Sequence, residues 1–549
     1  MPNTNRSKSE AVSLSAPQKL DVVVVGAGVS GLYALYKIRE AGLSVRAFDE
    51  GGDIGGTWWW TRYPGARVDF PGGPFYCYTF SEELVREFDW PETQPDQATV
   101  LRYMNFVADR LDLRRDVQLN TRVSLVEWDA AAQRWNVETS HGERFIAQFV
   151  ICGTGPLSAR NSPAIPGLES FAGQCIHTGA WPQEKVVFEG KRVGIIGTGS
   201  SGIQAIPLLA AEAEHLTVFQ RTPQYAIPAG NRPLDPEIKR HARENWSMVR
   251  DQMLESIVGS PAPTSTRSIF EDTEEERREV FEKRWQMGGQ GIAFYTYCDL
   301  LIDKAANNML AEFVRDKIRE IVRNPEVAKS LLPDYDIACK RLVLGTDYYE
   351  TFNRDNVRLV DLRDNPIESI TPTSVRTRHG QHPIDILVLA TGYDAISGSL
   401  TRLNPRGRDG LALATKWGNR ISTYLGISTH GLPNLFFLNG PQTPGVLWNM
   451  PMAAELETQW IVDCIAYMRE HQIGAVEPSA DAEKAWVDEV HSIADKTLFP
   501  KTDSWFTGAN IPGKPKQFLV HLNGPEYFKK LTKVASEKYS GFIFERRRP

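Results

Sequence analysis

Asp21-Val-Val-Val-Val-Gly26-Ala-Gly28-Val-Ser30-Gly31 and Lys191-Arg-Val-Gly-Ile-Ile-Gly197-Thr198-Gly199-Ser200-Ser201-Gly202 decide the fold. Each is a β-branched or apolar run that ends in G-x-G-x-x-G. A helix-period stretch follows each loop, Leu32 to Ala41 and then through Glu214, and a second strand closes each unit, Ser44 to Phe48 and Leu216 to Phe219. In such a loop the first glycine makes the strand-to-helix turn, the second lets backbone approach a pyrophosphate, and the third allows close helix packing. The helix N-terminus then offers free N–H groups to the anion. One such hexapeptide is weak evidence, but two in the same strand–loop–helix setting predict two Rossmann-like dinucleotide-binding domains in an α/β chain.

Charge after each loop separates the ligands. Asp49 ends the second strand of the first unit, where a carboxylate accepts from a ribose diol and repels a 2′-phosphate, so this unit is expected to hold FAD through Gly26, Gly28, Ser30, Gly31 and Asp49. The corresponding place in the second unit carries Arg221 and Thr222, and a guanidinium there pairs with the extra phosphate of NADPH. Gly197, Thr198, Gly199, Ser200, Ser201, Gly202 and Gln204 complete the expected NADP loop. An ordinary surface arginine is the competing reading of Arg221.

At 549 residues the chain exceeds one core, while 42% hydrophobic and 24% charged residues are ordinary globular composition. A net charge of -6 with mixed signs argues against a nucleic-acid partner. The start of the chain lacks the apolar run of a secretory signal, and no stretch reaches the length of a membrane span, so a cytoplasmic location without membrane attachment is expected. Six scattered cysteines (Cys77, Cys152, Cys175, Cys298, Cys339, Cys464) show neither C-x-x-C pairs nor metal-ligand spacing, which excludes a dithiol reductase and gives no reason to expect a metal. Arg546-Arg547-Arg548 reads as a solvated tail.

Two further strands, Phe149-Val-Ile-Cys-Gly-Thr-Gly155 and Asp385-Ile-Leu-Val-Leu-Ala-Thr-Gly392-Tyr, end in glycine turns that suit crossings between domains. The expected division is a disordered start at 1–18, FAD-binding segments 19–154 and 394–549, NADP-binding segments 155–228 and 336–393, and a helical insertion at 229–335. The charge runs of that insertion, such as Glu271-Asp-Thr-Glu-Glu-Glu-Arg-Arg, read as solvated helix faces.

Many proteins join an FAD unit to an NAD(P)H unit, so the chemistry must be read elsewhere. Phe171-Ala-Gly173-Gln-Cys-Ile-His177-Thr-Gly-Ala-Trp181-Pro182 resembles the fingerprint F-x-G-x-x-x-H-x-x-x-W-P/D of the type I Baeyer–Villiger monooxygenases, FAD- and NADPH-dependent flavoproteins. From the residues alone, His177 is a base, a hinge residue or a packed histidine, and Trp181 is equally read as core. The resemblance implies that the segment links the domains and coordinates motion of the NADP domain. Gly55-Gly56-Thr57-Trp58-Trp59-Trp60-Thr-Arg-Tyr63-Pro64-Gly65-Ala-Arg67-Val-Asp69 is similar to the family's stretch beside the flavin, with Thr57 and Trp58 implied to line FAD; Trp59 and Trp60 read as a hydrophobic wall.

Lys340-Arg341 resembles the segment that supplies the family's active-site arginine. The resemblance implies a buried Asp69–Arg341 pair, catalytic and touching both cofactors, with a purely structural ion pair as the alternative. It implies Lys340 beside Arg221 at the 2′-phosphate, Trp505 against NADP, Val123 at the adenine and Met450 at FAD. Val446, Leu447 and Trp448 are implied to shape the substrate pocket. The resemblance spans about Asp21 to Phe544. It departs after Asp69, where Phe70-Pro71-Gly72-Gly73-Pro74-Phe-Tyr76 replaces a shorter acidic-Ser turn and changes the backbone ahead of Tyr76, an expected FAD neighbour. The implied activity is insertion of one oxygen atom of O2 into a small ketone, giving an ester or lactone through a C4a-peroxyflavin reduced by NADPH. An N- or S-oxygenating flavin monooxygenase, an uncoupled NADPH oxidase and a non-catalytic cofactor-binding scaffold are the rival readings; intact glycine loops with both charged partners argue against the scaffold.

Overall fold

The computed structural model describes residues 16–70 and 72–548. The expected disorder of the first residues and the conformation of Pro71 lie largely outside them. Gln18 is the exception. It opens the strand Gln18–Val25 and pairs with Phe145, because the neighbouring strand Arg144–Cys152 is long enough to extend the ladder past the apolar run.

The first nucleotide unit is built on a seven-stranded sheet. Val117–Gln118, Val45–Phe48, Gln18–Val25 and Arg144–Cys152 run side by side in parallel, and Arg134–Thr139 and Val123–Asp129 continue the sheet antiparallel. Leu435–Phe437, from the far end of the chain, adds in parallel beside Val150–Cys152. Val22, Val23, Val24, Val150 and Ile151 are fully buried, as a sheet covered on both faces requires. The helix after the glycine loop spans Val29–Glu40, starting earlier than the apolar period suggested, because Val29, Ser30 and Gly31 form its first turn.

The second unit is a five-stranded, wholly parallel sheet, ordered Val357–Asp361, His215–Gln220, Arg192–Ile196, Ile386–Leu389, Gln174–His177. Its loop opens the helix Ser200–Glu212. Residues 236–331 carry the helices Pro236–Glu244, Trp246–Glu255, Glu274–Met287, Gly291–Phe294, Lys304–Ile321 and Pro325–Leu331. Glu274, Glu275 and Glu276 are exposed there, as expected of a solvated face. Asp272 departs from that reading: it is buried, ion-paired with Arg267, and accepts from the Tyr297 hydroxyl at 2.5 Å. Among the described residues no helix is long and apolar enough to cross a membrane.

Candidate active site

Both glycine loops show the division of labour that their spacing implies. A Cβ on Gly26 would lie 2.5 Å from the Gly153 carbonyl oxygen, and one on Gly31 would lie 1.8 Å from that of Gly26. In the second loop, a Cβ on Gly197 would lie 2.4 Å from Ala390 O, and one on Gly202 would lie 2.2 Å from Gly197 O. The middle glycines differ. Gly28 would meet only the backbone of Gly56, and Gly199 nothing within 4 Å. Neither helix start receives a side-chain cap, so N–H groups of both first turns are left for an anion. The loops therefore fit two dinucleotides.

Asp49 accepts from Ala27 N and Gly51 N, each at 2.7 Å. Burial raises its pKa, and an ionised carboxylate has acceptor sites left for a ribose. Asn120 N and Thr121 N donate to the carbonyls of Gly51 and Asp49, which brings the start of the Val123–Asp129 strand to the same end of the sheet, with the Val123 side chain in the core. Ser30 Oγ accepts from Asn439 Nδ2 at 3.0 Å. Asn439 N in turn donates at 2.6 Å to Glu457, a fully buried carboxyl whose pKa burial pushes up to about 8. Met450 begins the long helix Met450–Glu470, capped by Asn449. Thr57 and Trp58 sit in the short helix Thr57–Trp60.

Arg341 and Asp69 are joined by two hydrogen bonds, Nε to Oδ2 at 2.8 Å and Nη2 to Oδ1 at 2.6 Å. The third guanidinium nitrogen, Nη1, donates to Val446 O at 2.6 Å. The pair is less buried than the sequence implied, with side chains 19% and 24% exposed, because Arg341 fronts a cavity. Burial works against the Arg341 charge, but the charge and hydrogen bonds of Asp69 more than offset it and raise its pKa. The cavity, about 30 Å³, is lined by Arg341 with Phe70, Val258, Phe294, Tyr295 and Leu447. Val258, Phe294 and Tyr295 come from the helical insertion and had no signal in the sequence except the Gly288-Gly289 break before the short helix Gly291–Phe294.

Trp448 does not line this cavity; its indole donates to Ser256 O at 2.9 Å and packs on Phe528. Of the trio, Leu447 lines the cavity and Val446 meets Arg341 through its carbonyl. The Gly/Pro departure seats Tyr76 firmly: Gly72 N donates to Thr93 O at 2.8 Å, and a Cβ on Gly73 would strike Glu92 O at 2.7 Å. Tyr76 then meets Trp58 edge-on, and its hydroxyl accepts from Trp58 Nε1 at 3.3 Å. Burial pushes the Tyr76 phenol up to about 12, with Asp69 adding to the shift and Arg341 opposing it.

On the NADP side Thr198 Oγ1 donates to Thr222 O at 3.1 Å, which fixes the loop to the Arg221 turn. Ser200 and Ser201 open the helix. Gln204 is engaged across the domains, accepting from Tyr63 at 2.7 Å and donating to Arg67 O at 3.3 Å, a contact the sequence did not reveal. Lys340 Nζ lies 4.1 Å from the centre of the Tyr335 ring, and Arg221 is near enough to lower its pKa, after burial and against Asp334. Trp505 packs on Phe506 at the start of a turn.

The fingerprint segment packs along the second sheet and touches the first unit through Trp181. A Cβ on Gly173 would lie 2.3 Å from Asp385 O, and Phe171 packs beside it. His177 is satisfied at both nitrogens, Nδ1 accepting from Gly179 N at 2.9 Å and Nε2 lying 3.3 Å from Thr391 Oγ1, and burial lowers its pKa. Trp181 is buried, and its backbone N–H donates to Trp60 O at 3.2 Å.

The flavin-binding monooxygenase-like family model matches residues 19–229. A Baeyer–Villiger monooxygenase of Pseudooceanicola batsensis is 42% identical over 530 residues, 96% of each chain. A phenazine N-monooxygenase of Lysobacter antibioticus is 41% identical over 527 residues, 95% of this chain and 96% of that one. A crystal structure of OTEMO in complex with FAD and NADP superposes with a TM-score of 0.92 at 38% identity, covering 96% of this chain and all of that one. Likeness of this degree along nearly the whole length, on top of two dinucleotide loops and an aspartate-held arginine, makes the protein a member of the Baeyer–Villiger monooxygenases within the flavin-binding monooxygenase family.

Proposed function

We propose that Arg341, clamped by Asp69 and Val446 O, is the group through which this enzyme inserts one oxygen atom of O2 into a small ketone to give an ester or lactone. The observation that carries the reading is the guanidinium with all three nitrogens directed by the protein at the wall of a cavity. FAD and NADPH are the cofactors; bound, they would supply the electrons, and O2 the oxygen atom. The chain's own residues bind, orient and shield. Gly28 and Gly199 admit the pyrophosphates, Asp49 takes a ribose, and Arg221 with Lys340 takes the 2′-phosphate. We assign 19–154 with 394–549 to the FAD domain and 155–228 with 336–393 to the NADP domain.

Arg341 holds a fixed positive charge where negative charge develops on the ketone oxygen, and a preorganised charge of this kind lowers the barrier without reorganising. Asp69 is a positioning residue that keeps the guanidinium charged and aimed. Phe70, Val258, Phe294, Tyr295 and Leu447 give the cavity beside Arg341 an apolar wall suited to the carbon skeleton of a ketone. Arg341→Ala is expected to leave reduction of the flavin by NADPH in place and to abolish ester formation from a ketone panel, measured by mass spectrometry. Ester formed at the normal rate would remove the assignment.

The likeness to a phenazine N-monooxygenase favours a second reading, oxygenation of a heteroaromatic nitrogen. Parallel assays with ketones and phenazines under the same NADPH supply decide between them.

A further inference from the structure

Lys340 and Arg221 carry like charges and act on each other, yet among the described residues neither closes a salt bridge. Asp334 and Asp503 are both near enough to attract the Lys340 ammonium. What Lys340 rests on instead is a ring, with Nζ 4.1 Å from the centre of Tyr335. That ring is itself fixed. Its hydroxyl donates to Gln224 Oε1 at 2.7 Å and accepts from Tyr225 N at 3.3 Å, and its edge meets the Tyr225 ring at 5.2 Å and 73°. Gln224 and Tyr225 belong to the same short connection as Arg221, between the strands His215–Gln220 and Ala226–Pro228. One rigid aromatic plate therefore fixes where Lys340 stands relative to Arg221.

The geometry points to Tyr335 as a positioning residue that sets coenzyme selectivity: its ring holds Lys340 beside Arg221 so that both cations meet the 2′-phosphate distinguishing NADPH from NADH. This rests on the assignment of Arg221 and Lys340 to that phosphate. A cation over a phenol face is attracted by the ring quadrupole, and without the ring a flexible lysine swings toward the nearby carboxylates. The phosphate would then meet one cation and a neutralised partner.

The test is calorimetric titration of the FAD-loaded protein with NADP+ and with NAD+, which reads binding apart from turnover. Tyr335→Leu should weaken NADP+ about fivefold to thirtyfold, the strength of a partly desolvated cation–ring contact, and leave NAD+ within about twofold. Tyr335→Phe keeps the ring and should retain most of the wild-type preference. If Tyr335 acts through Lys340, Tyr335→Leu should add nothing in a Lys340→Ala background. Equal weakening of both coenzymes by Tyr335→Leu, or an undiminished effect when Lys340 is already Ala, overturns the inference. A wild-type protein that binds NADP+ and NAD+ alike overturns the phosphate assignment itself, a result separate from the first two.

Discussion

Asp69 offers the sharpest test of the site because Arg341 depends on it for two of its three hydrogen bonds. Asp69→Asn puts an amide nitrogen, which cannot accept, in place of one carboxylate oxygen. One charge-assisted bond is lost, with the opposing charge. Such a bond is worth about 1.5–3 kcal/mol, and water reaching a pair 19% and 24% exposed keeps the loss toward the lower figure. At 1.4 kcal/mol per decade, ester formation should slow about tenfold to thirtyfold. Asp69→Ala removes both bonds and leaves the guanidinium on Val446 O alone, so a loss of about a hundredfold or more is expected, the usual consequence of misplacing a fixed donor. Stopped-flow absorbance under anaerobic conditions reads flavin reduction, and gas chromatography reads ester. Reduction should change little while ester falls and peroxide release rises. Wild-type ester yield from Asp69→Ala, or reduction and ester falling in equal proportion, would refute an orienting role at the oxygen-transfer step.

Three further outcomes follow from the same geometry. Gly199→Ala places a methyl where nothing lies within 4 Å and at φ -79, so melting temperature and FAD content should hold while NADPH binding is lost; Gly31→Ala, 1.8 Å from a carbonyl oxygen, should lose FAD and stability together, by visible spectrum and thermal melt. Arg221→Ala should raise the Michaelis constant for NADPH about tenfold to a hundredfold and that for NADH about twofold at most; equal effects on the two would dismiss the phosphate pairing. Glu457 has a native pKa of about 8 against an ordinary 4.5, so its protonated form is the one the fold favours. Its contribution is complete below pH 4.5 and is lost as pH rises through 8, an effect on the order of 5 kcal/mol. Glu457→Gln should therefore flatten the fall in melting temperature between pH 5 and 8.5, and an unchanged slope would count against a protonated Glu457.

The sequence carried the two nucleotide units because their logic is local: a strand, three glycines and a charged strand end fall within thirty residues. Asp69 and Arg341 lie 272 residues apart and were paired only through family resemblance, since no periodicity links such distant positions. Tyr63–Gln204 was invisible for the same reason, and both residues read as members of their own motifs. Trp448 follows Val446 and Leu447 directly in sequence, yet it packs on Phe528 while Leu447 lines the cavity, a difference that residue type and spacing do not carry. His177 illustrates the limit of residue type. Its two partners, Gly179 N and Thr391 Oγ1, lie two residues away and 214 residues away, and the distant one could not be read from residue type.

The parallel pairing of Leu435–Phe437 with Val150–Cys152 has a consequence for biogenesis. Val150, Ile151 and Cys152 are as deeply buried as any residues in the protein, yet during translation their outer edge stays bare until residue 437 has left the ribosome. At elongation speeds of about 5–20 residues per second, that interval lasts roughly a quarter of a minute to a minute. An unpaired apolar edge invites misassociation with other nascent chains for all of that time. Slow induction at low temperature, with chaperones in excess, should therefore raise the yield of yellow protein more than added riboflavin does.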